Sequence, residues 1–232
     1  MLPEPRAVIF DMDDTLYPYR RFVLSGFAAA ARHVERTCGI NRDPVFRHMA
    51  RTSRGPDRGQ ELQACLTAFG LPPALLPVLV SIVRSHQPAI RLPRAAARTL
   101  AVLRAAGWRL GVLTNGPAEI QSRKVAALGI AARVDRVVYA TQHGSGAGKP
   151  EAEPFAEIAR QLDVPAGHIV FIGDDETCDV EGAAGAGMLP VRCAIWIRAA
   201  AATADRPVID RFSHVPHVAR ALLEEASSRY AA

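Results

Sequence analysis

The chain has 232 residues, 49% hydrophobic and 22% charged, with a formal net charge of +5 and a pI near 9.4, a length that suits one core domain with an insertion or two small domains. No apolar stretch approaches the roughly 18 residues of a membrane span, and the N-terminus lacks the pattern of a secretory signal, so the expectation is a cytoplasmic protein with no membrane partner. Cys38, Cys65, Cys178 and Cys193 lack CxxC pairing, which argues against a zinc site or disulfide framework, and the positive charge is spread without an aromatic-interleaved stripe, which argues against nucleic acid.

Ala7, Val8, Ile9 and Phe10 are apolar on successive positions, the pattern of a strand covered on both faces in a parallel sheet, where ligands gather at the carboxyl ends. Asp11 and Asp13 follow, in the run Asp-Met-Asp-Asp-Thr. In an extended segment residues i and i+2 point the same way, and two carboxylates brought together there repel unless a cation or a shared proton intervenes, so the pair implies a metal, a raised pKa, or both. Residues 18–93 contain no convincing buried strand and read as helices over 22–36, 44–51, 59–69 and 74–85, with Gly39 and Gly70 as stops, Pro72-Pro73 as a start, and 87–93 as a return linker.

From residue 94 helices and strands alternate. Helices are expected over 94–106, 118–128, 153–162, 180–186 and 215–227, and strands over 108–113, 136–140, 169–172, 190–195 and 208–209; the alanine-rich run 199–203 reads as a loop or short turn. Such alternation implies a doubly wound, Rossmann-like α/β core with a parallel sheet. The expected organisation is a core of 1–17 and 94–232 carrying an all-helical insert, 18–93.

Three further stretches carry chemistry. Thr114-Asn115-Gly116 lies between an apolar strand and a helix, where a hydroxyl and free amides cradle a phosphate, or where a helix simply begins after a glycine turn. Gly144 to Pro150 is glycine-rich and ends in Lys149-Pro150; it is no P-loop, because Pro150 lacks both the hydroxyl and the amide that motif uses. Lys149 is one of only two lysines, with Lys124, in an arginine-rich chain, so each lysine invites a question. Val170-Phe-Ile-Gly-Asp174-Asp175-Glu176-Thr-Cys-Asp179 is a buried strand followed by a knot of acids; Asp175 and Glu176 also suit a helix N-terminus.

In order and context these stretches resemble the haloacid dehalogenase superfamily, whose members are mostly magnesium-dependent phosphohydrolases: Asp-Met-Asp-Asp-Thr matches its DxDx[TV] signature, Gly-Lys-Pro its lysine motif, and Gly-Asp174-x4-Asp179 its GDxxxxD form. Glu151-Ala152 departs from the Asp-Pro that usually follows the lysine, and the insert matches the family's helical cap only in position and character. The resemblance implies Asp11 as nucleophile, Asp13 as acid/base, Thr114 and Lys149 as further catalytic residues, and a phosphoryl group held by Thr114, Asn115, Gly116 and Lys149. It also implies Mg²⁺ on Asp11, Asp174 and Asp13, the last through its main-chain carbonyl, with Asp175 and Asp179 in support.

The implied activity is hydrolysis of a small phosphorylated metabolite through an aspartyl-phosphate, by a monomer or homodimer. A 2-haloacid dehalogenase would lack the second aspartate, a phosphonatase would carry a cap lysine that residues 18–93 do not contain, a phosphomutase shares the fold, and intact acids argue against a non-catalytic interaction protein. Tyr17, Tyr19, Arg20, Arg21, Arg51, Arg54 and Arg58 either meet substrate at the entrance or are solvated.

Overall fold

The computed structural model describes residues 5–196 and 206–230, so the run 199–203 lies outside the described residues. In chain order the elements are β1 (Ala7–Phe10), α1 (Arg20–Cys38), α2 (Arg42–Thr52), α3 (Glu61–Ala68), α4 (Leu76–Ser85), α5 (Arg94–Ala105), β2 (Arg109–Thr114) and α6 (Ala118–Leu128). They continue as β3 (Arg136–Tyr139), α7 (Ala152–Leu162), β4 (Ile169–Gly173), α8 (Gly182–Gly185), β5 (Leu189–Cys193), β6 (Val208–Ile209) and α9 (Val215–Tyr230). The chain forms two compact units, one running to Pro18 and resuming at Arg91, the other Tyr19–Ile90.

The first unit is an all-parallel sheet in the order β3-β2-β1-β4-β5-β6. The chain therefore winds outward one way from β1 and then the other way from β4. β1 sits at the reversal, where a parallel sheet opens a crevice at its carboxyl edge. Phe10 is in register with both Val112 and Ile172, so the residues that follow β1, β2 and β4 emerge side by side. Both faces of the sheet are covered, which explains strands apolar at every position. Ala7, Ile9, Leu113, Ile169 and Phe171 form one core with Phe155, Ile158 and Leu162 of α7. A Cβ at Gly111 would lie 2.9 Å from Ile158 Cδ1, so glycine there lets α7 approach β2.

The sheet departs from the sequence reading in one place, after β4. A helix was expected over 180–186, but the chain first makes wide π-type turns over Glu176–Glu181 and only then the short α8. The cause is local. Asp175 caps the turn by accepting from the Cys178 amide (2.7 Å), and the Asp175 carbonyl accepts from both the Asp179 (3.0 Å) and Val180 (3.2 Å) amides, widening the turn enough to swing Asp179 back onto the strand end. A Cβ at Gly173 would sit 2.3 Å from Asp179 Cγ.

The second unit is four helices around Phe27, Ala30, Ala31, Val34, Val45, Met49, Cys65, Leu66, Leu71 and Leu79. Helical spacing of those residues on α1 buries a single stripe, and Gly39 ends the helix in the left-handed region, φ 70°. Pro72-Pro73 starts a 3₁₀ turn, Pro73–Leu75, before α4. The return segment is fastened to α1: the Ala89 amide donates to Ser25 Oγ (2.7 Å), and the His86 and Phe22 rings pack with centroids 4.9 Å apart. Among the described residues no helix is long and apolar enough to cross a membrane.

Candidate active site

Asp11 follows β1 directly, held by its amide donating to the Ile172 carbonyl (2.8 Å). Its Oδ1 accepts from Lys149 Nζ at 2.7 Å; the same ammonium donates to Asp179 Oδ1 (2.6 Å) and to the Leu113 carbonyl (3.1 Å). All three donor positions of the ammonium are used in a buried site. The Lys149 main chain is fixed just as firmly. Its amide donates to Asn115 Oδ1 (2.8 Å) and its carbonyl accepts from Asn115 Nδ2 (3.0 Å). A side chain at Gly148 would have to bear φ +83° and a contact of 2.6 Å with that Asn115 oxygen, so glycine is required before the lysine.

Asp11, Asp174 and Asp179 each offer a carboxylate oxygen within 4.8 Å of the others. Asp174 follows β4 and accepts from Thr15 Oγ1 (3.2 Å), while the Asp175 amide donates to Asp179 Oδ2 (3.1 Å). Burial pushes the Asp11 carboxyl well above its ordinary range; Lys149 pulls it down, and Asp179 and Asp13 push it further up. Burial, then Asp179 and Asp14, raises Asp174 to about 7. Burial alone would weaken the charge on Lys149, but Asp11 and Asp179 outweigh it and hold the ammonium above its ordinary value. Fully ionised, the three carboxylates would outweigh the one ammonium by two negative charges. A hard divalent cation with oxygen ligands fits that deficit and that donor set.

Asp13 lies elsewhere. The extended geometry ends at Phe10, and the chain turns at once: the Leu16 amide donates to the Met12 carbonyl (3.0 Å) and Asp14 adopts φ 52°. The expectation that Asp11 and Asp13 point together therefore gives way to a division. The Asp13 carboxylate accepts from Tyr17 Oη at Oδ1 (2.6 Å) and from Lys124 Nζ (2.7 Å) and Gln121 Nε2 (3.1 Å) at Oδ2. It is not one of the three carboxylates that converge. Tyr17, expected near an entrance, is completely buried here.

Thr114 ends β2 with its hydroxyl 2.6 Å from Gln121 Nε2, and the Gly116 carbonyl accepts from Thr141 Oγ1 (2.8 Å). Asn115 points to the Lys149 backbone and not into space for a ligand. Glu176 pairs with Arg192 (2.6 Å) and Arg206 (3.6 Å), a structural use. In the helical unit Arg20 donates to the Ala50 carbonyl (3.4 Å), and burial followed by Arg54 disfavours its charge. Gln121, Lys124, Tyr17 and Thr15 are the site residues that the sequence reading did not assign there. The scarcity of lysine singled out Lys124, and Tyr17 was considered only for the entrance.

Residues 5–187 match the family model described as haloacid dehalogenase-like hydrolase, and the chain belongs to that family. A glyceraldehyde 3-phosphate phosphatase of Methanopyrus kandleri is 29% identical over 195 residues, 81% of this chain and 83% of its own length. A ribulose-1,5-bisphosphate 5-phosphatase of Halopiger xanaduensis is 28% identical over 197 residues, covering 78% and 82%. Among solved structures, a 2-haloacid dehalogenase of Pseudomonas syringae pv. tomato superposes with a TM-score of 0.63 at 24% identity, covering 94% of this chain and 99% of that one; this likeness shows the fold alone. With its curated relatives named as phosphatases, the chain is a phosphatase-type enzyme of the family.

Proposed function

We propose that the enzyme hydrolyses a small phosphate monoester in two steps through an aspartyl-phosphate on Asp11, with Mg²⁺ as cofactor. The observation that carries this reading is Lys149 Nζ lying 2.7 Å from Asp11 Oδ1 and 2.6 Å from Asp179 Oδ1 at the end of the central strand. It keeps one nucleophilic oxygen oriented and a positive charge where phosphoryl oxygens would gather. Mg²⁺ would be held by the carboxylates of Asp11 and Asp174 and the main-chain carbonyl of Asp13, with Asp179 behind them; it would supply charge neutralisation to the phosphoryl oxygens.

In the first step an Asp11 carboxylate oxygen attacks phosphorus, the phosphorus–ester oxygen bond breaks, and Asp13 gives its proton to the leaving oxygen. In the second, Asp13 takes a proton from water as the water oxygen attacks phosphorus; the bond to Asp11 breaks, releasing phosphate and restoring the carboxylate. Thr114 donates to a phosphoryl oxygen throughout. The relatives' names support a sugar phosphate or similar metabolite as substrate. A cytoplasmic site of action follows from the reading, because such metabolites are too highly charged to cross a bilayer unaided.

The rival reading is dehalogenation, which shares the aspartate nucleophile. Halide leaves without a proton, so the three donors gathered on Asp13 and the acids after β4 would have no task. A panel of phosphate-ester metabolites with Mg²⁺, scored by phosphate release, tests the proposal. We expect release from a subset, lost with chelator and restored by Mg²⁺. Full activity without divalent cation, or halide release from a 2-haloacid, overturns it.

A further inference from the structure

Helix α6 brings two polar side chains to the site from its buried face. Gln121 is 2% exposed and Lys124 3%, and three positions apart on a helix they share one side. Both reach Asp13 Oδ2. Gln121 Nε2 also lies 2.6 Å from the Asn115 carbonyl and 2.6 Å from Thr114 Oγ1. The orientation of that amide is decided by its neighbours, since a carboxylate and a main-chain carbonyl can only accept. Three oxygens share the two protons of that nitrogen, which has no capacity to accept, so the threonine's own proton has to turn elsewhere.

The carboxylate of Asp13 is therefore asymmetric. Oδ2 accepts two donors, from Lys124 and Gln121, and is saturated. Among the described residues Oδ1 accepts only from Tyr17 and keeps one acceptor direction unused.

We propose that Gln121 and Lys124 are positioning residues: they hold Asp13 by Oδ2 so that proton transfer runs through Oδ1, and Gln121 turns the Thr114 hydroxyl proton toward the phosphoryl group. Helix α6 thus sets the acid/base and the phosphate grip with one rigid element. This deepens the phosphatase reading and rests on it. Losing Lys124 lets the carboxylate rotate, which harms the step that needs a proton delivered in one direction. Losing the Gln121 donor frees the Thr114 hydroxyl to point inward, which weakens the hold on phosphate in substrate and transition state alike.

The test compares 4-nitrophenyl phosphate, whose leaving group needs little acid assistance, with phenyl phosphate, of nearly the same shape, whose leaving group needs more. For Lys124→Met, kcat/KM for phenyl phosphate should fall on the order of tenfold further than for 4-nitrophenyl phosphate, through kcat, with Lys124→Arg recovering part of the difference. For Gln121→Met, KM should rise for both esters together. The Mg²⁺-induced shift in melting temperature should persist in both variants. If Lys124→Met cuts both esters equally, or loses the Mg²⁺ shift, the role is structural and the proposal falls. Should Lys124→Met not fold, Lys124→Gln, which keeps a neutral donor, must show the same widening or the proposal fails. A wild-type enzyme that cleaves neither these esters nor any metabolite with Mg²⁺ would instead remove the phosphatase reading itself.

Discussion

The two buried lysines define two halves of the site with opposite electrostatic character. Around Lys149, Asp11, Asp174 and Asp179 outnumber the single ammonium, and two of the three carboxyls are pushed above their ordinary range. Around Lys124 the ammonium pairs with the Asp13 carboxylate, which also accepts from two neutral donors, Tyr17 and Gln121. The first half is short of positive charge until a cation arrives, whereas in the second the carboxylate already faces an ammonium. In the proposed reaction, a site built this way would separate the phosphoryl group that is attacked and neutralised from the carboxylate that moves protons.

The largest expected effect breaks the second half. Asp13→Asn keeps the main-chain carbonyl but can neither give nor take the proton, so turnover should fall by roughly 10²- to 10⁴-fold. With an aryl phosphate the first step needs little acid, so the phosphoenzyme should accumulate, visible in acid-quenched intact mass as one added phosphoryl group absent from Asp11→Asn. Wild-type turnover without a trapped intermediate would mean that Asp13 is not the acid/base.

A smaller effect sharpens the contrast in stability. Lys149→Met strands two nearly inaccessible carboxylates, with side chains 9% and 2% exposed, while Lys124→Met strands one that is 26% exposed and can be rehydrated. The first should cost about 3–5 kcal/mol at neutral pH and the second about 1–3 kcal/mol, read from urea unfolding. Equal losses would erase the distinction between the halves.

The smallest effect is in pH. Asp174 titrates near 7 in the folded metal-free protein and near its ordinary value of about 4 when unfolded, and Asp11 is raised likewise. Between those values the folded state binds more protons. The stability contributed is therefore full below about pH 4 and lost as pH rises through about 7. Added Mg²⁺ should reverse the trend, because ionised carboxylates bind it best, so the Mg²⁺-induced rise in melting temperature should grow between roughly pH 6 and pH 8. A shift independent of pH would detach the cation from these acids.

Much of this was legible in the chain because strands buried on both faces announce themselves and because polar residues stood directly at their ends: Asp11 after β1, Thr114 at the end of β2, Asp174 after β4. The helical unit was legible from spacing and from glycine and proline punctuation. What escaped notice depends on geometry beyond a regular element. Alternation predicted the direction of Asp13 only while the strand lasted, and it ends at Phe10. The wide turn over Glu176–Glu181 arises from bonds to Asp175 that no propensity encodes. Gln121 and Lys124 reach Asp13 across separations of 108 and 111 residues, and on their own helix they look like ordinary polar positions.

The glycine that ends β4 has a consequence for how this gene can change. Gly107 takes a left-handed φ of 79° with nothing within 4 Å of a hypothetical Cβ, whereas Gly173 has no such backbone demand and is constrained by the Asp179 side chain, 2.3 Å away at Cγ. In a saturation library scored for function, the Gly107 codon should admit asparagine and aspartate, which tolerate that backbone region. The Gly173 codon should return glycine almost exclusively, even in clones that fold, because the first methyl group added there displaces the acid that Lys149 holds.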